Sequence, residues 1–266
     1  MTVKAWAVAN QKGGVGKTTT AITLAGLLAE RGEQVLVMDL DPHGSATSYF
    51  GFDPESEEAS TYTLFKETAE GRAPDANGIV RQTAVDRLHL MPASTALATL
   101  DRQLGGREGM GLVIQRSLHQ LAGRFDHVFI DCPPVLGVLM VNALAACEFL
   151  LIPTQTEYLA LKGLERMLRT LQMVQRARAV PLPYRIIPCF FDRRTRASID
   201  TLRTLRDKYS AHLWSSVIPI DTRFREASQA GVPLSHLHRH TRGLDAYRQL
   251  LAHLLHEEDV GEAVAL

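Results

Sequence analysis

Apolar positions along this chain alternate between short unbroken runs and helical spacing. Runs beginning at Ala5, Gln34, Leu88, Phe125, Phe149 and Arg185 read as buried strands. After the first run, Ala21, Ile22, Leu24, Ala25, Leu27 and Leu28 recur at helical spacing up to Gly32. Further helices are expected over 97–104, over 112–121 with Gly123 closing it, and from the Phe149 run to about residue 178. That third helix carries Leu164, Met167, Leu168, Leu171 and Val174 on one face. Another spans 198–212, and the last, 244–256, turns Leu244, Tyr247, Leu250, Leu251, Leu254 and Leu255 inward. Residues 52–58 are acidic and turn-rich, 63–66 suggest a short helix, 71–78 a loop and 105–109 a flexible segment. No function is read from 49–85.

Composition narrows the class. A chain of 266 residues is long enough for one large α/β domain with a full core. Formal net charge is zero, so no global field draws it to nucleic acid or acidic lipid, and any DNA contact must come from a local patch. Cys132, Cys147 and Cys189 are widely spaced and form no C-x-x-C pair, which points to reduced thiols and against disulfide or zinc frameworks. No signal peptide is evident, and no stretch approaches the ~20 apolar residues of a membrane span. The expectation is a cytoplasmic protein without membrane contact.

The chemistry concentrates in residues 10–20. A strand, a turn containing Gly13, Gly14 and Gly16, and a helix N-terminus together make a phosphate site: turn N–H groups converge on the anion and the helix dipole favours its charge. The general pattern G-x-x-x-x-G-K-[ST] fails at one position, since Gln11 stands where its first glycine belongs. A second lysine, Lys12, lies inside the loop. Lys17 would reach the β and γ phosphates and the Thr18 hydroxyl would ligate Mg²⁺. Lys12, on the other limb of the turn, is free to point out of its own site, where its charge would serve a nucleotide held by a second subunit. A glycine-rich turn without ligand is the bland alternative, but three glycines and two lysines do nothing there for packing.

This loop resembles the deviant phosphate loop of the ParA/MinD family of dimeric ATPases, whose first lysine crosses the dimer interface to the partner's ATP. Further blocks extend the resemblance over residues 3 to 255. Asp39, Asp41, Pro42, Gly44, Ala46, Thr47 and Ser48 match the family's D-x-D-P-Q-G-N-A-T-S, with departures at His43 and Ser45. The strand ending in Asp131, followed by Cys-Pro-Pro, is similar to its second nucleotide motif, and 153–164 to its P-x-Q-x-E-x-x-A-L-x-G-L segment. Asp192, Arg194 and Thr195 match a D-x-R-T pattern, and 218–227 resembles I-P-x-x-x-R-x-x-E-A.

The resemblance implies one doubly wound α/β domain of P-loop NTPase type over 1–256, a mostly parallel twisted sheet with helices on both faces, and an acidic, flexible tail over 257–266. It implies ATP and Mg²⁺ as cofactors. ATP would be held by Lys12, Gly13, Gly14, Val15, Gly16, Lys17, Thr18 and Thr19, with Pro219 and Asp221 near the base. Mg²⁺ would be held by Thr18, Asp41 and, through water, Asp131, with Asp39 in support. Lys12, Lys17 and Asp41 would carry hydrolysis, and His43 reads as a surface turn residue. Arg194, Arg196, Arg223 and Arg225 are candidates for sequence-independent DNA contact, because a guanidinium fork suits phosphate; the alternative is a solvated face.

The acidic C-terminal segment differs from the basic lipid-binding helix of MinD relatives. Only nine residues precede Asn10, too few for the helix-turn-helix of larger plasmid ParA proteins, and Tyr247 does not make the tyrosine cluster of kinases built on this loop. The implied function is that of a small ParA: an ATP-dependent homodimer on nonspecific DNA, nucleoid-associated in the ATP state. A ParB-like or cargo-adaptor protein would stimulate its hydrolysis, with a centromere complex or a protein cluster such as chemoreceptors as cargo. The other reading is a metabolic or kinase-like P-loop enzyme acting on a small substrate without DNA.

Overall fold

The structure is a computed structural model describing residues 3–100, 103 and 109–265, with side chains through Glu257. Five apolar runs become the parallel core of a seven-stranded sheet: β1 (Lys4–Val8), β2 (Val35–Asp39), β5 (His127–Asp131), β6 (Phe149–Gln155) and β7 (Tyr184–Cys189). β4 (Leu88–Met91) joins them in parallel, and the two-residue β3 (Arg81–Gln82) adds an antiparallel edge. The order is β3-β4-β2-β5-β1-β6-β7. β1, β2 and β5 are almost wholly buried because helices cover both faces, which explains why they read as unbroken apolar runs rather than alternating ones.

Along the chain the helices are α1 (Lys17–Glu30), α2 (Ser45–Tyr49), α3 (Thr61–Ala69), α4 (Ala76–Ile79), α5 (Val113–Gln120) and α6 (Val138–Ala146). They continue with α7 (Tyr158–Gln175), α8 (Arg196–Tyr209), α9 (Arg223–Ala230), α10 (Leu234–Leu237) and α11 (Arg242–Ala265). One core layer packs Leu64, Ile114, Leu144, Leu164 and Met167 against one face of the sheet. The other packs Ile22, Leu24, Leu28, Leu234, Tyr247 and Leu250 against the opposite face. The Thr20 and Tyr247 hydroxyls, 2.8 Å apart and buried, tie α1 to α11.

Three sequence expectations change. α11 runs past residue 256 to Ala265, so the last helix is longer than the expected 244–256. Of the helix expected over 97–104, the start lies in a 3₁₀ turn, Thr95–Thr99, while Leu100 and Gln103 are α-helical; residues 101–102 and 104–108, which hold most of the expected glycine-rich segment, lie outside the described residues. α2, α4, α6, α9 and α10 form where no helix is expected, α4 overlapping the expected loop 71–78.

Candidate functional site

The sheet order places β5 between β1 and β2, so the loop leaving β1 meets the carboxyl ends of β2 and β5. The phosphate loop takes its shape from glycine: Gly14 and Gly16 have φ of +72° and +94°, conformations that other residues adopt only at a cost. Gly16 is the N-cap of α1, and the buried Val15 anchors the loop between them. Around the loop opens a cavity of about 930 Å³, lined by Gly13, Gly14, Gly16, Lys17, Thr18 and Thr19 and across from them by Asp41, Asp221 and Arg225. The Lys17 ammonium is nearly buried and donates to the Lys12 carbonyl at 3.4 Å.

The three acids differ in environment. Asp39 and Asp131 are paired in register at the ends of β2 and β5, both buried. Asp39 accepts hydrogen bonds from the Thr47 N–H and hydroxyl (2.8 and 2.7 Å) and from the Asp41 N–H (3.1 Å). Thr18 Oγ1 donates to Asp131 Oδ2 at 2.6 Å, while Asp131 Oδ1 is buried without a partner. Burial raises both carboxyl pKa values above the ordinary range, and for Asp131 the neighbouring Asp39 charge adds to it. These residues fit Mg²⁺: the orphaned Asp131 oxygen beside the Thr18 hydroxyl is short of a positive partner. Among the described residues no cluster of three or more His, Cys, Asp or Glu could hold a metal. A divalent ion here would therefore draw most of its ligands from water and phosphate, as Mg²⁺ does. Asp41, also buried, lines the cavity, which Asp39 and Asp131 do not.

The other expected residues separate into groups. Lys12 is not among the cavity-lining residues. Its ammonium pairs with Glu157 at the start of α7 and lies 3.5 Å from Gln155 Oε1. Val15, Pro219, Asp39 and Asp131 are also not among the cavity-lining residues. Asp221 is held by the N–H groups of Arg223 (3.1 Å) and Gly243 (3.0 Å). Among the four arginines, Arg194 forms a two-pronged pair with Asp192 (2.9 and 2.8 Å), and Arg196 pairs with Asp200 at 3.4 Å. Arg223 and Arg225 are exposed and form no ion pair among the described residues.

Sequence reasoning missed the cavity's apolar wall of Tyr49, Phe190, Ile220 and Phe224. Phe190 follows β7 with φ of +54°, an unusual conformation for a bulky residue, and its ring would lie 3.4 Å from a Cβ at Gly16. Its position just past the carboxyl end of a parallel strand was the available signal. The helix α7 was also missed as part of the site. Gln11 Nε2 donates to Thr170 Oγ1 at 2.6 Å, Arg166 donates to the Gln11 carbonyl at 3.2 Å, and a Cβ at Gly163 would come within 2.9 Å of Lys12 Cβ.

Comparison with known proteins agrees with this geometry. Residues 3–182 match the family model described as AAA domain. The chain is 34% identical over 245 residues to the sporulation initiation inhibitor protein Soj of Bacillus subtilis, covering 92% of this chain and 95% of that protein. It is 32% identical over 262 residues to the chromosome partitioning protein ParA of Caulobacter vibrioides, covering 97% and 96%. Among solved structures, cobyrinic acid a,c-diamide synthase from Mycobacterium smegmatis with bound ADP and magnesium superimposes with a TM-score of 0.81 at 34% identity, over 97% of this chain and 96% of that one. With the phosphate loop, the two strand-end acids and the doubly wound sheet in place, this chain belongs to the ParA/Soj family of P-loop ATPases.

Proposed function

We propose that this protein is an ATP-controlled dimer that partitions or positions cargo through sequence-independent DNA binding and releases it on partner-stimulated hydrolysis. ATP lies along Gly13 to Thr19, with Lys17 on its phosphates and Asp221 toward the base. Thr18, Asp41 and, through water, Asp131 would hold Mg²⁺ with Asp39 in support, and the bound ion would offset charge developing on the phosphoryl oxygens. Asp41 orients the attacking water.

The observation that carries this reading is the division between the two loop lysines. Lys17 lines the cavity, whereas Lys12 stands outside it and pairs with Glu157. Beside Glu157, Tyr158 and Leu159 are 68% and 63% exposed, and Val135 and Leu136 next to the cavity-lining Pro134 are 63% and 43% exposed. Such a surface suits burial against a second copy, with Lys12 exchanging Glu157 for the partner's phosphates. The names of the ParA and Soj relatives support a partitioning role, for which a ParB-like or adaptor protein and nucleoid DNA are the expected partners.

A second reading has its own observation, the likeness to a structure named cobyrinic acid a,c-diamide synthase. It requires turnover with a small carboxylic acid substrate and no use for DNA. The two readings separate in one experiment: binding to random-sequence duplex DNA with ATP, ADP or no nucleotide at two salt concentrations, with mass measured by light scattering. Binding and dimerisation only with ATP, weakened by salt and lost in Lys12→Ala while ATP still binds, are expected. A Lys12→Ala variant that dimerises normally overturns the crossing lysine, and absence of DNA binding in every state favours the second reading.

A further inference from the structure

The turn after β2 carries Asp41 into the cavity and places His43 against it. Gly44 N–H donates to the Asp41 carbonyl at 2.8 Å, closing a four-residue turn in which proline and glycine occupy positions they favour. The turn is fixed from outside, since Gly44 has φ of +61° and a Cβ there would lie 2.5 Å from Pro54 Cβ. His43 is thereby brought onto one oxygen of Asp41. Its backbone N–H donates to Oδ1 at 3.0 Å, and its imidazole Nδ1 lies 2.8 Å from the same atom. A carboxylate only accepts, so Nδ1 carries the hydrogen. Among the described residues no hydrogen bond reaches Asp41 Oδ2. The imidazole is otherwise unsupported: its side chain is 77% exposed, and it makes no second hydrogen bond among the described residues. Both His43 and Ser45, the two departures from the family motif, line the same cavity as Asp41 and the phosphate loop.

We propose that His43 is a positioning residue for ATP hydrolysis, its imidazole holding the Asp41 carboxylate in one orientation so that Oδ2 is left to the attacking water. The proposal rests on the reading of Asp41 as the hydrolytic acid. The terminal torsion of an aspartate is soft, and an unclamped carboxylate spreads over a broad range of orientations. A charge-assisted bond from Nδ1 narrows that range, and hydrolysis is sensitive to the placement of the water the acid holds. Although it lines the cavity, His43 hydrogen-bonds only to Asp41 among the described residues and makes no hydrogen bond to the phosphate loop, from which nucleotide affinity comes. Its loss is therefore felt in turnover and not in binding.

The test uses the full chain with ATP and Mg²⁺, comparing wild type, His43→Ala, His43→Asn, Asp41→Ala and the double variant Asp41→Ala/His43→Ala. Steady-state hydrolysis, fluorescent ADP affinity and thermal midpoint are measured for each. His43→Ala is expected to lower kcat about 10-fold with KM and ADP affinity nearly unchanged. Its thermal midpoint should not move, because the side chain is exposed. His43→Asn, whose amide N–H can stand where Nδ1–H stood, should recover most of the turnover. The double variant should be no slower than Asp41→Ala alone. Wild-type kcat in His43→Ala beside an inactive Asp41→Ala would overturn the role of His43 and leave Asp41 intact. Wild-type turnover by Asp41→Ala would overturn both. Equal losses in His43→Ala and His43→Asn with a lowered thermal midpoint would reduce His43 to a structural residue.

Discussion

His127 begins β5 with its imidazole buried edge-on to Trp6, ring centroids 5.6 Å apart. Its Nδ1 is buried without a hydrogen-bond partner, as is Trp6 Nε1 beside it. Burial lowers its pKa to about 4, with the Lys4 charge acting in the same direction. The unfolded chain takes up a proton near the ordinary histidine pKa of about 6.5, which the folded chain refuses until about pH 4. Stability from this residue is therefore complete above that ordinary value and is lost as pH falls toward 4, by on the order of 3 kcal/mol. His89, also lowered chiefly by burial, acts in the same sense. Asp39 and Asp131, with carboxyl pKa values raised by burial, act in the opposite sense over this range, so the histidine contribution is read as a difference. The urea midpoint of His127→Leu relative to wild type should rise as pH falls from 7 to 4. A difference that stays constant with pH would place the acid sensitivity elsewhere. Nothing in the sequence marks His127 as buried, because a histidine at the start of a strand looks the same on a solvated edge.

At the scale of elements, the joint that matters is the one between the phosphate loop and α7. Glycine within a helix ordinarily costs about 1 kcal/mol against alanine, so Gly163→Ala would stabilise a free helix. Here the added Cβ would meet Lys12 Cβ at 2.9 Å and Asn10 Oδ1 at 3.1 Å, and neither is the loose end of a flexible side chain. Asn10 is itself fixed, its amide donating to the Pro153 carbonyl at 2.8 Å. The substitution should push the loop away from α7, weakening ADP binding several-fold without raising the thermal midpoint. Unaltered affinity with a higher midpoint would mean that the helix, not the loop, absorbs the displacement. The sequence revealed these two elements but not their contact, since Gly163 looks like any tolerated helix glycine. Its blind spots among elements have similar causes. α6 is apolar almost all round and offers no amphipathic period, α2 spans five residues, and β3 only two.

At the scale of the whole molecule, the readable features were those that sit at strand ends. The phosphate loop, Asp39 and Asp131 each follow an apolar run, and parallel strands deliver their carboxyl ends to one edge. The placement of β5 between β1 and β2, which sets Asp131 beside Asp39, depends on long-range packing of two helical layers. The apolar wall from Tyr49, Phe190, Ile220 and Phe224 gathers residues from three remote stretches, and no local pattern announces such a meeting.

The same scale decides which arginines are available to a phosphate backbone. Identical in sequence, the four candidates are unequal in the fold. Arg194 is already engaged by both oxygens of Asp192, whose pKa its guanidinium pulls down to about 2, and any phosphate must compete with that carboxylate. Arg196 shares Asp200 with Arg203. Arg225 lines the nucleotide cavity, so its removal should disturb ATP binding as well. Arg223 is exposed, without an ion pair among the described residues and outside the cavity lining, which makes it the most available of the four. Each phosphate neutralised contributes about 0.9 to the slope of log affinity against log salt, and a dimer presents every residue twice. Arg223→Ala should therefore weaken ATP-dependent DNA binding and lower that slope by about 2. Arg194→Ala should change both far less, and Arg225→Ala should lose DNA binding together with nucleotide affinity. The three variants titrated against random duplex DNA across a salt series distinguish the cases. Equal effects from Arg194→Ala and Arg223→Ala would mean that Asp192 releases its arginine when DNA arrives, and that ion pairing in the free chain does not select the contacts.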